Sequence, residues 1–308
     1  MKEYYALTKE QRQIYDLVRV EGEAAASIDA IIRFQREIER KVLEEVTVRL
    51  IDGNEVLHAR LIREGTEAKQ VFDVPTERLY EIKEFQDEEE AEAYAKRIQG
   101  EALPADGLLC FFIGYKTKNS CGLIIHMHHI IADAWTVMLL GRQFAGGLEA
   151  KGGAEEDQAA AVYSYTDHIQ REQREDRQRQ YQRDLAYWQE QYAEVGEAYL
   201  LGQNRGYQAA EARRVSFALS KRDAERIAEF GRNGGATPAA VFYTLYAACF
   251  DRMRIDREER FLMGVPFFNR RGEQEKNTAG IYVNTFAVRA DIEEEKSLWN
   301  QVKYLGIA

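Results

Sequence analysis

Cysteine is scarce. The chain has three among 308 residues, Cys110, Cys121 and Cys249, an odd number lying in apolar runs without Cys-x-x-Cys spacing. That argues against a disulfide framework and for reduced core thiols in a cytoplasmic protein. No apolar run approaches the ~20 residues needed to cross a bilayer. The opening Met1-Lys-Glu-Tyr-Tyr-Ala-Leu-Thr-Lys-Glu lacks the apolar core of a secretory signal. Positive charge is in deficit, with a net charge of −10, which speaks against nucleic acid or an anionic membrane as partner. Nucleotide fingerprints are missing too, since neither GxGxxG nor a P-loop occurs.

What is present is ordinary for a globular protein, at 45% hydrophobic and 31% charged residues. The length suffices for a large core and about two domains. Sequence patterning predicts a helix from Thr8, as N-cap, to about Val20, and a second helix from Ser27 to about Glu45. Strands are expected at 46–51 and 56–62, with Asp52-Gly53-Asn54 as the turn between them. A short strand at 79–83 and an acidic helix over 87–99 follow.

Most of the chemistry gathers in Cys121-Gly-Leu-Ile-Ile-His-Met-His-His-Ile-Ile-Ala-Asp-Ala-Trp135. Read as a strand, 121–128 puts Leu123, Ile125 and Met127 on one face and Ile124, His126 and His128 on the other. With 108–115 it reads as a hairpin that carries His129 to an element end, where a side chain is both fixed and reachable. Asp133 has the position of an N-cap for a helix with Val137, Leu140, Phe144 and Leu148 as its stripe. His126, His128 and Asp133 are conceivable metal ligands. No fourth ligand is evident and the chain has five histidines in all, so no metal is expected.

Beyond this, Gly146-Gly147 and the stretch 151–157 read as a soft boundary, and a long charged helix is expected from His168 to about Tyr192. A strand at 214–219, a helix at 221–232 and a helix from Thr237-Pro238 through Phe250 complete the pattern.

The stretch His128-His129-Ile130-Ile131-Ala132-Asp133-Ala134 resembles the HHxxxDG motif of nonribosomal peptide synthetase condensation domains, which are similar to chloramphenicol acetyltransferase. Ala134 stands where that family usually has Gly, a change expected to be tolerated unless the site needs a positive φ. Other segments match in order. Leu7-Thr8 with Gln11, Glu55 with Leu57, and Tyr165-Thr166-Asp167-His168 resemble the family's earlier motifs; the basic residues expected around His58 are absent. Gly264-Val-Pro266 with Asn269-Arg270, and Gly280-Ile-Tyr-Val-Asn-Thr285 with Arg289, resemble its later ones.

The resemblance implies an α+β, chloramphenicol acetyltransferase-like two-layer sandwich in two lobes, 1–175 and 176–308, the second incomplete because the family's closing motifs are missing. It implies amide formation between a donor acyl or peptidyl thioester and an acceptor amine. Both substrates would be presented on phosphopantetheine arms of carrier proteins, with no cofactor bound directly and adjoining synthetase domains as further partners. His129 is the candidate general base or amine-orienting group, with His128 and Asp133 beside it. In the family this aspartate pairs with an arginine; Arg270 matches it, Arg271 is the fallback, and such a pair would tie the histidine loop to the second lobe. Asn284 and Trp135 are candidates for shaping the site. Two other readings stay open: a free-standing acyltransferase using coenzyme A or carrier thioesters, and a silent truncated domain that docks carrier proteins.

Overall fold

Cap chemistry explains where the first helix begins. Strand β1 (Tyr5–Ala6) leads to α1 (Lys9–Glu21), whose cap Thr8 accepts from the Gln11 amide while the Gln11 side chain accepts from the Thr8 amide. This reciprocal box satisfies two donors that a helix start leaves open. The structure is a computed structural model and describes residues 3–64, 67–99, 101–151, 163–193, 215–253, 262–290, 292, 297 and 300–302.

The expected helix over 27–45 does not form. Its place is taken by strand β2 (Ser27–Phe34) and the start of helix α2 (Arg40–Asp52). Ile28, Ile31 and Ile32 fit a helical spacing, but pairing with a neighbouring strand wins. Helix α2 also runs through the expected strand 46–51. Leu43, Val46, Thr47 and Leu50 recur at three and four residues and are all buried, which is a helix period. A 3₁₀ turn, Glu55–His58, then gives way to β3 (Ala59–Glu64), so the second expected strand starts three residues late. Strand β4 (Glu67–Phe72) pairs antiparallel with both β3 and β1, making a small sheet of order β1-β4-β3.

The main sheet adds β5 (Tyr80–Glu84), β6 (Cys110–Lys116) and β7 (Cys121–His128), in the order β2-β7-β6-β5. Strands β6 and β7 form the expected hairpin, from Cys110 opposite Met127 to Lys116 opposite Cys121. Strand β5 lies parallel to β6, and a parallel neighbour requires a crossover. Helix α3 (Glu88–Ile98), capped by Asp87 accepting from the Glu90 amide at 2.9 Å, supplies it. The two faces of the sheet are covered differently. Leu43 of α2 and Phe112, Leu123, Ile125 and Met127 of the sheet share one core, joined by Leu140 and Phe144 of α4 (Ala134–Lys151). Ile113, Tyr115 and Ile124, the alternate positions, pack against Ala91 and Ile98 of α3.

Gly146 and Gly147 lie inside α4 rather than at a boundary; a Cβ on Gly147 would sit 2.8 Å from Val46 Cγ1, so the glycine permits close packing on α2. Residues 152–157 of the expected boundary fall outside the described residues. The single long charged helix is two, α5 (Tyr165–Glu172) and α6 (Glu175–Tyr192), broken at 173–174.

The described chain divides into two units. One is Met1–Gln182 with Phe268–Asn284, and the other is Arg183–Phe267 with Thr285–Ala308. The second holds α7 (Lys221–Gly234), which ends on Gly235 in the left-handed region at φ 71°, then α8 (Pro238–Met253). Residues 215–219 of the expected strand carry no regular structure, and 214 lies outside the described residues. Strand β8 (Leu262–Phe267) pairs with β9 (Asn284–Arg289), and the short helix α9 (Glu273–Lys276) lies between them in sequence. Among the described residues no helix is long and apolar enough to cross a membrane.

Candidate active site

Strand β7 is buried along its whole length and delivers the histidines. His126 faces Asp29, its cross-strand partner on β2, with Nδ1 2.6 Å from Oδ1. His128 is fully buried, and its Nδ1 accepts from the Ile130 amide at 3.0 Å. An accepting Nδ1 carries no proton, so the neutral ring holds its proton on Nε2. That nitrogen lies 3.4 Å from Glu23 Oε2, within ion-pair reach, yet neither atom makes an aligned hydrogen bond. Burial lowers the His128 pKa below 6.5, against the opposing pull of Glu23. His128 therefore acts as a neutral brace for the turn that follows.

His129 opens that turn, a 3₁₀ segment reaching Ile131, beside which α1 packs. Its ring is half-buried, with Nδ1 closed to solvent and without a hydrogen-bond partner among the described residues. No described carboxylate fixes its tautomer, which separates it from a Ser-His-Asp arrangement. Its turn is closed by the Ile130 amide donating to His128 Nδ1 and the Ala132 amide donating to the His129 carbonyl, and Asp133 follows directly.

Asp133 caps α4, accepting from the Thr136 amide at 2.9 Å. Its carboxylate also meets Arg270 Nη2 at 3.0 and 3.1 Å and the Tyr282 amide at 3.1 Å. Arg270 Nη2 further donates to Thr136 Oγ1 at 3.1 Å and the Gly280 carbonyl at 3.0 Å, while Nη1 donates to the Thr278 and Glu275 carbonyls. The planar fork suits this crowded set of acceptors where an ammonium does not. The Arg270 guanidinium also stacks over the Tyr282 ring at 4.0 Å. Gly280 sits at φ 154°, and a Cβ there would fall 2.2 Å from the Tyr165 ring, so only glycine lets this backbone approach. Arg270 and Asp133 belong to the same unit, so the pair is internal to it. Arg271 is exposed and engages Glu275 only through its amide.

Ala134 is exposed in the first turn of α4, and among the described non-glycine residues only Asn269 has a positive φ. Trp135 donates from Nε1 to the Lys276 carbonyl at 2.8 Å and meets Phe268 edge-on at 4.8 Å. Asn284 is half-buried with Oδ1 unpartnered. His126, His128 and Asp133 turn to different partners and do not converge. His58 is not on a strand; it ends a 3₁₀ turn with its ring nitrogens 2.7 Å from the Val74 carbonyl and 3.2 Å from that of Ile51. Glu55 accepts from Ser164 Oγ and the Thr166 amide, tying that turn to the start of α5. Gln11 and Gln70 exchange side-chain hydrogen bonds at 2.9 and 2.7 Å, fixing α1 to β4.

Sequence reasoning missed Thr136, Glu23 and a group formed by the buried Glu10 and His168 with the half-buried Glu172. Burial raises Glu10 to about 7, with Glu172 adding to it, and lowers His168 to about 3. The one available signal was the four-residue spacing of His168 and Glu172, which puts both on one helix face. In the second unit a groove of about 500 Å³ between α7 and α8 contains none of the site residues.

Solved structures match this architecture closely. The first condensation domain of the calcium-dependent antibiotic synthetase, in complex with a substrate analogue, superposes with TM-score 0.80 at 20% identity, covering 99% of this chain and 73% of that one. The condensation domain from the Monacolin K polyketide synthase MokA gives TM-score 0.79 at 17% identity, covering 98% and 71%. The fold is therefore the α+β, chloramphenicol acetyltransferase-like fold of condensation domains. The sequence profile described as Condensation domain matches residues 1–306, and the chain belongs to that family. Among curated proteins it is 24% identical over 298 residues to a linear gramicidin synthase polypeptide of Brevibacillus parabrevis, covering 92% of this chain and 4% of that protein. It is 25% identical to phosphinothricin tripeptide synthetase PhsC of Streptomyces viridochromogenes, covering 92% and 27%. The chain thus spans a small part of the curated relatives it matches.

Proposed function

We propose that this condensation domain joins a donor acyl or peptidyl thioester to an acceptor amine, with both substrates on phosphopantetheine arms of carrier proteins and adjoining synthetase domains supplying them. Amide formation needs the amine neutral, aimed at the thioester carbonyl, and relieved of a proton as the bond forms; the thiol of the arm leaves. A neutral imidazole can accept that proton or hold the amine in line. His129 takes this role, His128 braces its turn, and Asp133 with Arg270 fixes the backbone from which it projects. Holding two acyl arms together supplies much of the remaining acceleration. Asn284 and Trp135 are assigned to shaping the space around the substrates. The observation that carries the reading is His129 at the end of a buried strand, half-buried with Nδ1 unpartnered, backed by a buried Asp133–Arg270 pair joined by two hydrogen bonds.

The test uses carrier proteins loaded with a donor and an acceptor aminoacyl thioester. His129→Ala is expected to lower amide formation by about 100-fold or more with its melting temperature unchanged. Full activity in that variant refutes the role. Equal turnover with soluble coenzyme A thioesters points instead to a free-standing acyltransferase, and carrier binding without product to a docking module.

A further inference from the structure

Away from His129, three side chains of different elements converge in the interior. Glu10 lies in the first turn of α1, and His168 and Glu172 lie one turn apart on α5. One ligand atom from each lies within 4.8 Å of the other two. Glu10 is 4% exposed and His168 8% exposed. Glu10 Oε1 accepts from Asn269 Nδ2 at 3.2 Å, while Oε2 is buried with no partner. His168 Nε2 is likewise buried and unpartnered. Buried polar atoms are nearly always satisfied, so an open atom on each of two side chains of the same cluster calls for a further partner. Lys9, Arg171, Arg270, Arg177 and Glu275 are charged neighbours of this group, but none bonds to either open atom.

We propose that Glu10, His168 and Glu172 form a binding site for one divalent cation of the zinc type. Imidazole nitrogen and carboxylate oxygen are both ligand types that zinc accepts, and three of them leave a fourth position for water. Metal–ligand distances of about 2.0–2.2 Å require ligand atoms roughly 3.5 Å apart, so the group closes by about 1 Å on loading. The spacing of His168 and Glu172 on one helix presents both to the same ion, and Glu10 arrives from a different helix. The ion would pin α1 to α5. Through the Asn269 bond to Glu10 it would also steady the segment that carries Arg270, giving it a structural role separate from amide formation.

The experiment strips the full chain with a chelator and titrates zinc by calorimetry, with cobalt(II) absorption as a spectroscopic readout. One zinc per chain is expected, with a rise in melting temperature. His168→Ala and Glu172→Gln should each weaken binding by about tenfold or more. These two positions are preferred to Glu10, which also holds Asn269. Cobalt should give an intense tetrahedral visible band without thiolate charge transfer. The proposal is overturned if the stripped, folded chain takes up no zinc. It is equally overturned if both variants bind as the parent does, or if a thiolate band places cobalt on cysteine. If either variant fails to fold, the cobalt spectrum of the parent chain decides.

Discussion

Replacing Arg270 by Met keeps much of the aliphatic stem and removes the charged fork. The loss can be worked from the contacts. Arg270 Nη2 alone reaches both Asp133 oxygens, Thr136 Oγ1 and the Gly280 carbonyl, at 3.0 to 3.1 Å, and its side chain is fully buried. Removing one partner of a buried pair costs roughly 3–5 kcal/mol, because the other charge is left desolvated. Asp133 keeps three amide donors, from Thr136, Tyr282 and Val283, which argues for the lower end. About 3 kcal/mol is a large share of a typical domain stability of 5–15 kcal/mol. It corresponds to a melting-temperature drop of roughly 6–12 °C for a unit of this size. The measurement is a thermal and urea melt of Arg270→Met, Asp133→Ala and the double variant. The double should lose far less than the two singles summed, since the second change removes the charge that the first stranded. Additivity to within about 0.5 kcal/mol would show that the two side chains do not share the energy, and the reasoning would fail. Arg271→Met, at an exposed neighbour, serves as the control and should shift stability by less than about 0.5 kcal/mol.

Gly122→Ala should prevent normal folding, because its Cβ would fall 2.1 Å from the Ile32 carbonyl oxygen and 2.4 Å from Tyr115 Cε1; soluble protein with an unchanged melt would contradict the β2–β7 register. His128 gives a pH dependence with a definite sign. Its folded pKa lies below the unfolded 6.5, so the unfolded state binds more protons, and stability is whole above 6.5 and lost as pH falls below it. His128→Asn, whose amide oxygen can take the Ile130 hydrogen bond, should flatten the parent's loss of stability between pH 6.5 and 5; an identical slope in both proteins would remove His128 as a source.

Cap chemistry and period-two alternation were legible because they depend only on neighbours in the chain. Thr8, Asp87 and Asp133 each mark a helix start, and Cys121–His128 is the strand that its alternation predicts. The misreadings came where apolar residues are too dense for one period to dominate. Ile28, Ile31 and Ile32 suit either period, and only pairing with β7 makes 27–34 a strand and sets Asp29 opposite His126. Val46–Ile51 is rich in β-formers, yet its helical face meets the sheet and α4, and burial of that face overrides propensity.

By itself the sequence determined the order of motifs, the histidine strand and the cap that ends it. These are written in side chains a few residues apart, where local sterics and hydrogen bonds decide. Only the tertiary structure decided that Arg270 rather than Arg271 faces Asp133, that Thr136 and Gly280 complete that clamp, and that Glu10 meets His168 and Glu172. Those contacts join residues far apart along the chain. Their geometry is fixed by the packing of whole elements, which no short window of sequence contains.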